Sequence, residues 1–348
     1  MKKVILVLIA ALLVSLTFGC AAPAPAPERE QTTINLITSG FGSVGYLVAQ
    51  QLAAEVNREH PWLRINVIEG KPNNIHNLAN KPEIRADTIA HGATLTNWFV
   101  QQGWPPAEVA YDGARCLGKY LNPIVQVYWS TDANIRSIED LAGKKINLFT
   151  KGTAGEVHYT ALLKHIGIFD TVKADYVGFE PLVDAMIDGT IDASIGSVTQ
   201  LSADPPKFTP IPSIIRMLES TECYVVDVPL EVMRETSQAS GIPITPCTLP
   251  AGTIYETPYG AVPRTEAHSP LSGMLGWWVD KDEFPEDVAY EVVKMYAKYI
   301  EPISKTSPAA STYTVETMAT LDIDEDLYNP GALRFYKEAG VEVINVAK

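Results

Sequence analysis

The chain has 348 residues, of which 46% are hydrophobic, and 41 acidic against 27 basic residues give a formal net charge of −14 at pH 7. Such a length and apolar content can bury the cores of two ordinary domains, which argues against a disordered protein. The acidic balance argues against nucleic acid as a partner, because two polyanions repel each other.

The N-terminus predicts export from the cytoplasm. Two lysines precede an apolar run at 4–16, which is the layout of a secretory signal and is too short to span a bilayer as a helix. A glycine followed by Cys20 suggests a lipoprotein cleavage site, although Thr17 stands where a branched aliphatic residue is usual. We predict a signal peptide at 1–19, lipidation of Cys20 and an extracytoplasmic protein anchored to the membrane by lipid. An untethered secreted protein is the alternative.

The segment after Cys20 predicts a tether at 20–32. Its AAPAPAP run favours an extended, semi-rigid spacer with nothing to contribute to a core. The other cysteines, Cys116, Cys223 and Cys247, are too few and too far apart for a disulfide framework or a zinc site. One bridge between Cys223 and Cys247 stays open as an alternative.

An internal repeat organises the remainder of the chain. Residues 34–40 (INLITSG) recur as residues 146–152 (INLFTKG), and each copy reads as a buried strand ending in a glycine turn. A helix, a strand, a further helix and a short strand follow each copy. The pattern predicts two β-α-β-α-β lobes. The predicted elements are the helix 44–58 and the strands 64–68 and 86–90 in the first copy, and the helix 155–166 and the strands 173–177 and 191–195 in the second.

The repeat also predicts where a ligand binds. In open α/β sheets the ligand lies beyond the carboxyl ends of the strands, so two facing lobes enclose a cleft. Both helix starts would line it, where unpaired N–H groups and the helix dipole attract a carboxylate, sulfonate or phosphate. Glu156 opposes this unless it caps its own helix. The predicted ligand contacts are Ser39, Gly40, Phe41, Ser43, Val44, Tyr46, Asn74 and His91 from lobe one and Thr153, Ala154, Gly155 and Ser197 from lobe two.

Each predicted contact also has a purely structural interpretation. A serine or threonine before a helix is often only an N-cap, worth about 1 kcal/mol of stability. Tyr46 and His91 could simply pack. We predict no catalytic residue, no metal site and no cofactor.

One competing motif lies in the first copy. Residues 40–45 (GFGSVG) fit G-x-G-x-x-G after a strand, and Glu69 follows the next strand about where a ribose-binding acid belongs. This would indicate a dinucleotide-dependent oxidoreductase. Predicted export weakens the oxidoreductase alternative, because a nicotinamide cofactor is scarce outside the cytoplasm. The second copy also weakens it, because it has no G-x-G-x-x-G motif at Gly152.

Two other groups of polar residues are interpreted as solvated surface. His158 and His165 stand seven apart on one predicted helix face, too distant for one-turn chelation of a metal. The acidic run lacks the glycine and terminal glutamate of a calcium loop, so we predict a solvated loop. Its residues are Asp322, Asp324, Glu325 and Asp326.

Three segments in the last third of the chain carry a family resemblance: residues 248–253 (TLPAGT), 279–290 (VDKDEFPEDVAY) and 329–340 (NPGALRFYKEAG). On these segments the chain resembles the TAXI family, the solute receptors of one branch of the tripartite ATP-independent periplasmic (TRAP) transporters. Upstream, residues 141–146 (LAGKKI) and 189–193 (GTIDA) are also similar to family segments, so the resemblance spans the mature chain.

The resemblance implies a non-catalytic receptor that captures small carboxylates, including glutamate-like amino acids and keto-dicarboxylates, for a permease driven by an ion gradient. The ligand loops depart from the family pattern at residues 72–74 (PNN), 91–93 (HGA) and 151–155 (KGTAG). Hydroxyl donors are replaced there by amides, an imidazole and bare backbone. The resemblance therefore does not assign glutamate as the ligand of this chain.

These observations together predict an α/β, two-lobed periplasmic-binding-protein fold of the second type, with two hinge crossings and a ligand cleft between the lobes. Lobe one is expected at 33–123 and 275–348 and lobe two at 124–274, with crossings around 122–125 and 273–276. The expected partners are a small organic anion or amino acid and the permease subunits of a TRAP transporter. The binding component of an ATP-driven importer is the alternative.

Overall fold

The computed structural model describes residues 29–41, 43–71, 74–203, 205–306, 310 and 313–346. The predicted signal peptide, Cys20 and most of the predicted tether lie outside these residues, as do Gly42, Pro72 and Asn73. At the end of the predicted tether, Arg29 forms an ion pair with Asp287 and stacks over the Trp62 ring at 3.6 Å. None of the helices in the described part of the chain has the length and apolar character needed to span a bilayer.

Lobe one is built on a mixed sheet. Its strands are β1 (Thr32–Ile37), β2 (Leu63–Ile68), β3 (Thr88–Ala93), β4 (Ala114–Leu121) and β15 (Leu275–Asp280), in the order β2-β1-β3-β15-β4. β1 pairs in parallel with β2 and β3, whereas β15 is antiparallel to β3 and β4. The remaining elements are α1 (Val44–Glu59), α2 (His76–Asn80), α3 (Thr94–Gln101), α8 (Glu286–Lys298), α9 (Ile300–Ser304), α10 (Val315–Met318), α11 (Pro330–Glu338), β16 (Thr320–Leu321) and β17 (Ile344–Asn345).

Lobe two is built on a second mixed sheet. Its strands are β5 (Ile124–Ser130), β6 (Lys145–Asn147), β7 (Lys173–Asp175), β8 (Ala193–Ala203), β9 (Pro206–Pro210) and β10 (Tyr224–Val226), in the order β10-β5-β8-β6-β7 with β9 on β8. Two antiparallel pairs join β11 (Pro246–Leu249) to β14 (Ala267–Pro270) and β12 (Tyr255–Thr257) to β13 (Gly260–Val262). The helices are α4 (Ala154–His165), α5 (Phe179–Ile187), α6 (Pro212–Ser220) and α7 (Leu230–Ser240).

The predicted repeat is confirmed as a common topology. β1-α1-β2 and β6-α4-β7 are both strand-helix-strand units with parallel pairing, Leu36 opposite Val67 in one and Ile146 opposite Ala174 in the other. The helices begin within one residue of their predicted starts because a hydroxyl cap precedes each apolar periodic run. The third strands begin two residues later than predicted in both copies, at Thr88 and Ala193.

The chain passes between the two sheets twice. β4 ends at Leu121 and β5 begins at Ile124, while β14 ends at Pro270 and β15 begins at Leu275. The crossing segments bond to each other, since the Ser272 N–H donates to the Ile124 carbonyl at 2.9 Å. The α/β, two-lobed architecture is therefore the one predicted.

Strand direction decides which edges of the two sheets face each other. β4 runs in the direction of β1 and β3 and leads into lobe two, so the carboxyl edge of the first sheet faces lobe two. In the second sheet Ile124, at the crossing, pairs with Thr199 near the carboxyl end of β8, and β6 is parallel to β8. The carboxyl ends of β1 and β6, and the helix starts that follow them, therefore lie at facing edges.

Each lobe has its own apolar core, and one helix belongs to both. The α3 residue Val100 packs in the core of lobe one, whereas Leu95 and Phe99 of the same helix pack in the core of lobe two. Because these positions lie on different faces of the helix, α3 is held between the lobes.

Two expectations about individual side chains are settled. Cys223 and Cys247 are buried, separate thiols, so the possible bridge between them is not formed. The interpretation of His158 as solvated was wrong: it is 1% exposed, and its Nε2 lies 3.0 Å from the Pro243 carbonyl. Burial lowers the pKa of His158 to about 4. His165, on the outer side of the same helix, is exposed as predicted.

Candidate functional site at the facing helix starts

The start of α1 presents free backbone donors. Ser43 is its N-cap: the Tyr46 N–H donates to Ser43 Oγ at 3.2 Å, and Ser39 Oγ lies 2.6 Å from the same oxygen. The N–H groups of Val44 and Gly45, at the first two helical positions, have no acceptor among the described residues. Capping thus satisfies one donor and leaves two for a ligand or water.

The loop before α1 already donates a hydrogen bond to a carboxylate of the protein itself, the side chain of Glu69. The Phe41 N–H donates to Glu69 Oε1 at 3.0 Å, so Glu69 holds this loop. The Phe41 ring is 78% exposed and lies 5.2 Å from the ring of Tyr46, whose hydroxyl accepts from the Gln50 amide. Glu69 is the residue that would bind the ribose in the oxidoreductase alternative. Its carboxylate instead accepts a hydrogen bond from the loop before α1.

The start of α4 repeats this arrangement. Thr153 is the N-cap, accepting from the Glu156 N–H at 3.4 Å, and the N–H groups of Ala154 and Gly155 have no acceptor in the described ranges. The Glu156 carboxylate accepts from the Gly152 N–H at 3.1 Å and from the Thr160 hydroxyl at 3.0 Å. Glu156 therefore caps its own loop, the condition under which it does not oppose an anion at the helix start.

The second helical position is glycine in both copies, and a polar side chain approaches each one. A Cβ on Gly45 would lie 3.0 Å from the Tyr120 hydroxyl, and one on Gly155 would lie 2.9 Å from Gln126 Oε1. Tyr120 and Gln126 flank the first crossing. Sequence reasoning missed both, although Gln126 is a polar residue between the apolar residues Val125 and Val127, a signal that could have identified it.

Several other predicted contacts lie near these two helix starts. His91 is buried on β3, with Nε2 3.4 Å from the Tyr120 hydroxyl. Ser197 is buried on β8, opposite Gln126, with Oγ 3.5 Å from Gln126 Oε1. Gly40 lies in the loop before α1, where a Cβ would be 3.9 Å from Glu69 Oε1. His91 thus joins the first start through Tyr120, and Ser197 joins the second through Gln126.

Asn74 is fully engaged inside lobe one. Its Nδ2 donates to the carbonyls of Thr38 and Lys71, at 3.0 and 2.6 Å, and its Oδ1 accepts from the Lys71 N–H at 3.0 Å. The side chain is 2% exposed. Asn74 therefore joins the end of β1 to the loop after β2.

Asn74→Ala should destabilise the protein by about 2 kcal/mol, because it leaves buried backbone groups unpaired. Urea unfolding followed by circular dichroism measures this. Asn80→Ala is the matched control, since the Asn80 side chain bonds exposed loop backbone. If both variants had the same stability as the wild type, Asn74 would not hold this loop.

The second-lobe loop contains a strained backbone. Phe149 has a φ of 68°, which is uncommon for a residue with a bulky side chain. Asn147 fixes this geometry: its Oδ1 accepts from the N–H groups of Phe149 and Val177, at 3.2 and 3.0 Å. Strain of this kind collects at binding and active sites, and here it directly precedes the start of α4.

The structure also contains a cavity of about 210 Å³ between the lobes. Its wall includes α3 residues and residues 322–324 on one side and His158 and Thr245 of lobe two on the other. None of the twelve predicted ligand contacts lines it. In the described residues, no group of three or more His, Cys, Asp or Glu side chains is placed to hold a metal ion.

Several solved structures are similar to this chain. MatC from Rhodopseudomonas palustris, solved with bound malate, shares 11% identity with a TM-score of 0.46, covering 88% of this chain and 96% of that one. The aliphatic sulphonate binding protein SsuA from Escherichia coli shares 13% identity with a TM-score of 0.45, covering 91% and 97%. A TctC solute binding protein from Polaromonas shares 12% identity with a TM-score of 0.44, covering 79% and 87%.

The sequence itself matches a family over most of its length. The NMT1-like family matches residues 36–340, a range that includes both sheets, both crossings and both helix starts. The chain belongs to the NMT1-like family.

Proposed function

We propose that this protein is an extracytoplasmic solute receptor that binds a small carboxylate-bearing molecule between its lobes and delivers it to a membrane transporter. The observation that carries the proposal is the pair of facing helix starts, each with two unpaired N–H groups and a glycine at the second position. Four such donors with two helix dipoles suit one small anion.

The nearby acidic groups are compatible with this proposal. Glu69 and Glu156 each accept hydrogen bonds from loop N–H groups and leave the first two N–H groups of each helix unused. The surface charge of the chain acts over a longer distance and is screened by salt. Local donors can therefore bind an anion in an acidic protein.

The finer assignments are also proposals. We assign residues 33–123 and 275–348 to lobe one, 124–274 to lobe two, and a lipid-anchored N-terminus to Cys20. Ser39, Phe41, Tyr46, His91 and Ser197 are proposed to line the site beside the donors. The resemblance to the TAXI family favours a TRAP permease as the partner, and an ATP-driven importer is the second candidate. A permease gene of the TRAP type or an ATPase gene beside this one distinguishes the two.

Proline at the first helical position removes one N–H while its fixed φ suits the helix start. The chain already has proline there in α6 and α11. Ser43 and Thr153 have extended ψ values of 157° and 156°, which a following proline accepts. Val44→Pro and Ala154→Pro should each weaken solute binding about tenfold or more, since a hydrogen bond to a charged group contributes about 1.5–3 kcal/mol.

The measurement is a thermal melt against a library of small mono- and dicarboxylates, amino acids and alkanesulfonates, followed by calorimetric titration of the solute that raises the melting temperature. Leu230→Pro, at the start of α7 and outside both loops, is the matched control and should bind as the wild type does. A melt that no library member shifts would contradict the proposal. So would equal affinity of the two proline variants and the wild type.

A further inference from the structure

A further donor side chain lies at the start of α4. Gln126, on β5, is 9% exposed, and a Cβ on Gly155 would lie 2.9 Å from its Oε1 and 3.2 Å from its Cδ. Ser197 Oγ lies 3.5 Å from Oε1, whereas Nε2 has no acceptor among the described residues and still reaches solvent. An amide nitrogen on a nine-tenths buried side chain seldom lacks an acceptor. Gln126 Nε2 therefore adds a free donor beside the Ala154 and Gly155 N–H groups.

A second charged group on the solute would find little support at these edges of the lobes. The carboxylates of Glu69 and Glu156 already accept hydrogen bonds from loop N–H groups. Lys151 Nζ lies over the Tyr176 ring at 4.5 Å, and both Lys71 and Lys151 are exposed to solvent. Ion pairs of solvated lysines contribute little to binding, because water and salt screen them. A single anionic group is therefore the charge that these edges suit.

Three large apolar side chains are exposed beside the helix starts. Phe41, in the loop before α1, is 78% exposed, Ile68, the last residue of β2, is 38% exposed, and Val177, just after β7, is 37% exposed. Single exposed apolar residues are common on protein surfaces. A group of them next to unpaired polar donors is instead typical of a surface that binds a ligand or a partner.

Ile68 and Val177 occupy equivalent positions in the two copies of the repeat. Ile68 pairs with Ile37, and the β6–β7 register, continued for two residues, places Val177 opposite Phe149, the counterpart of Ile37. Asn147 holds Val177 there, accepting from its N–H at 3.0 Å and donating to its carbonyl at 3.1 Å. Because β2 is parallel to β1 and β7 to β6, the two side chains lie at the facing carboxyl edges of the sheets. The gap between the helix starts thus has an apolar rim in each lobe.

We propose that the solute is an amphipathic monocarboxylate. Its carboxylate accepts from the helix-start N–H groups and from Gln126 Nε2, and its alkyl or aryl tail packs against Phe41, Ile68 and Val177 when the lobes close. This inference rests on the proposed function and narrows it to one substrate class. The tail contributes to affinity because each CH₂ group that leaves water for apolar surface adds free energy of binding.

Calorimetric titration of the full chain with the straight-chain acids from propanoate to hexanoate tests this class, because the head group is constant along the series. Affinity should rise about threefold for each added CH₂. Glutarate and norvaline are the matched ligands, since each has the five carbons of pentanoate and one more charged group. Both should bind about tenfold more weakly than pentanoate, because a charge cannot enter the apolar rim without losing its hydration.

The outcomes separate this inference from the proposed function. Equal or tighter binding of glutarate than of pentanoate, or equal affinity along the series, would overturn the amphipathic class and leave a carboxylate receptor in place. No binding of any member would overturn the inference and the proposed function together.

Two variants separate the tail from the head group. Phe41→Ala removes the ring but keeps the backbone N–H that donates to Glu69, so it should weaken hexanoate about tenfold and propanoate little. Gln126→Leu removes a donor and should weaken both acids by the same factor, about tenfold. Tyr259→Ala and Gln238→Leu, at exposed positions of lobe two outside both helix starts, are the matched controls and should bind both acids as the wild type does.

Equal losses of propanoate and hexanoate affinity in Phe41→Ala would show that the tail does not pack on this ring and would overturn the proposal. Wild-type affinity for both acids in Gln126→Leu would overturn the role of its amide in binding the carboxylate. Circular dichroism melts like that of the wild type show that each variant is folded.

Discussion

Gly331→Ala should destabilise the protein by about 3 kcal/mol or more, although alanine is the better helix former. Gly331 is at the second position of α11, and a Cβ there would lie 2.1 Å from the Glu286 carbonyl oxygen and 2.9 Å from the Tyr290 nitrogen. Both are backbone atoms of α8, so no side chain can rotate away. The two helices would have to move apart, and the packing between them that closes lobe one would be lost.

Urea unfolding measures this effect, and Gly178→Ala is the matched control. A Cβ on Gly178 would have its nearest neighbour at 3.9 Å, and the φ of −79° suits alanine. The control should lose about 1 kcal/mol or less, because Gly178 is an N-cap and alanine is a poorer residue there. A Gly331→Ala protein within 1 kcal/mol of the wild type would show that α8 and α11 are not in backbone contact.

Lys119→Met should stabilise the protein at neutral pH by about 3 kcal/mol. Lys119 on β4 is 6% exposed and forms no ion pair with the described residues. Burial lowers its pKa from 10.5 to about 8. The folded state thus disfavours the charged lysine, and methionine keeps the apolar stem without the charge.

The pH dependence of the free energy of unfolding has a definite sign. Below pH 8 the lysine is charged in both states, and the full burial penalty is present. Between about pH 8 and 10.5 the unfolded chain binds the extra proton, so wild-type stability should rise. The advantage of Lys119→Met should therefore be largest at pH 7 and small at pH 10.5.

Urea unfolding at several pH values between 7 and 10.5 tests this expectation. Lys207→Met, at an exposed lysine of β9, is the control and should change stability little at any pH. Parallel pH curves for Lys119→Met and the wild type would contradict the assignment of a buried charge to Lys119.

The elements that sequence reasoning located best are those with local signals. The Ser43 cap and the apolar positions of α1 identify that helix to within one residue at each end, and the repeated INL segment identifies its counterpart. The place of β15 between β3 and β4, by contrast, depends on pairing with strands that lie about half the chain length earlier. No local pattern encodes such a partner.

The candidate site also contains residues with a local sequence signal and residues whose place depends on the tertiary structure. Helix starts follow from caps and turns, so Ser43 and Thr153 could be placed from the sequence alone. Tyr120 and Gln126 come from the strands beside the first crossing. Tyr120 approaches Gly45 only once lobe one has folded, and Gln126 approaches Gly155 only once lobe two has folded. The burial of His158 likewise depends on Pro243, which is distant along the chain.

The position of α3 has a consequence for motion between the lobes. The helix is covalently part of lobe one, yet Leu95 and Phe99 are embedded in the interior of lobe two. The chain crosses between the sheets at two places, and α3 is a third, noncovalent connection between the lobes. Any swing of one lobe must either pull these side chains from their apolar surroundings or take α3 along by bending the backbone near Ala93. The amplitude of that swing is therefore limited by a helix that is not part of either crossing.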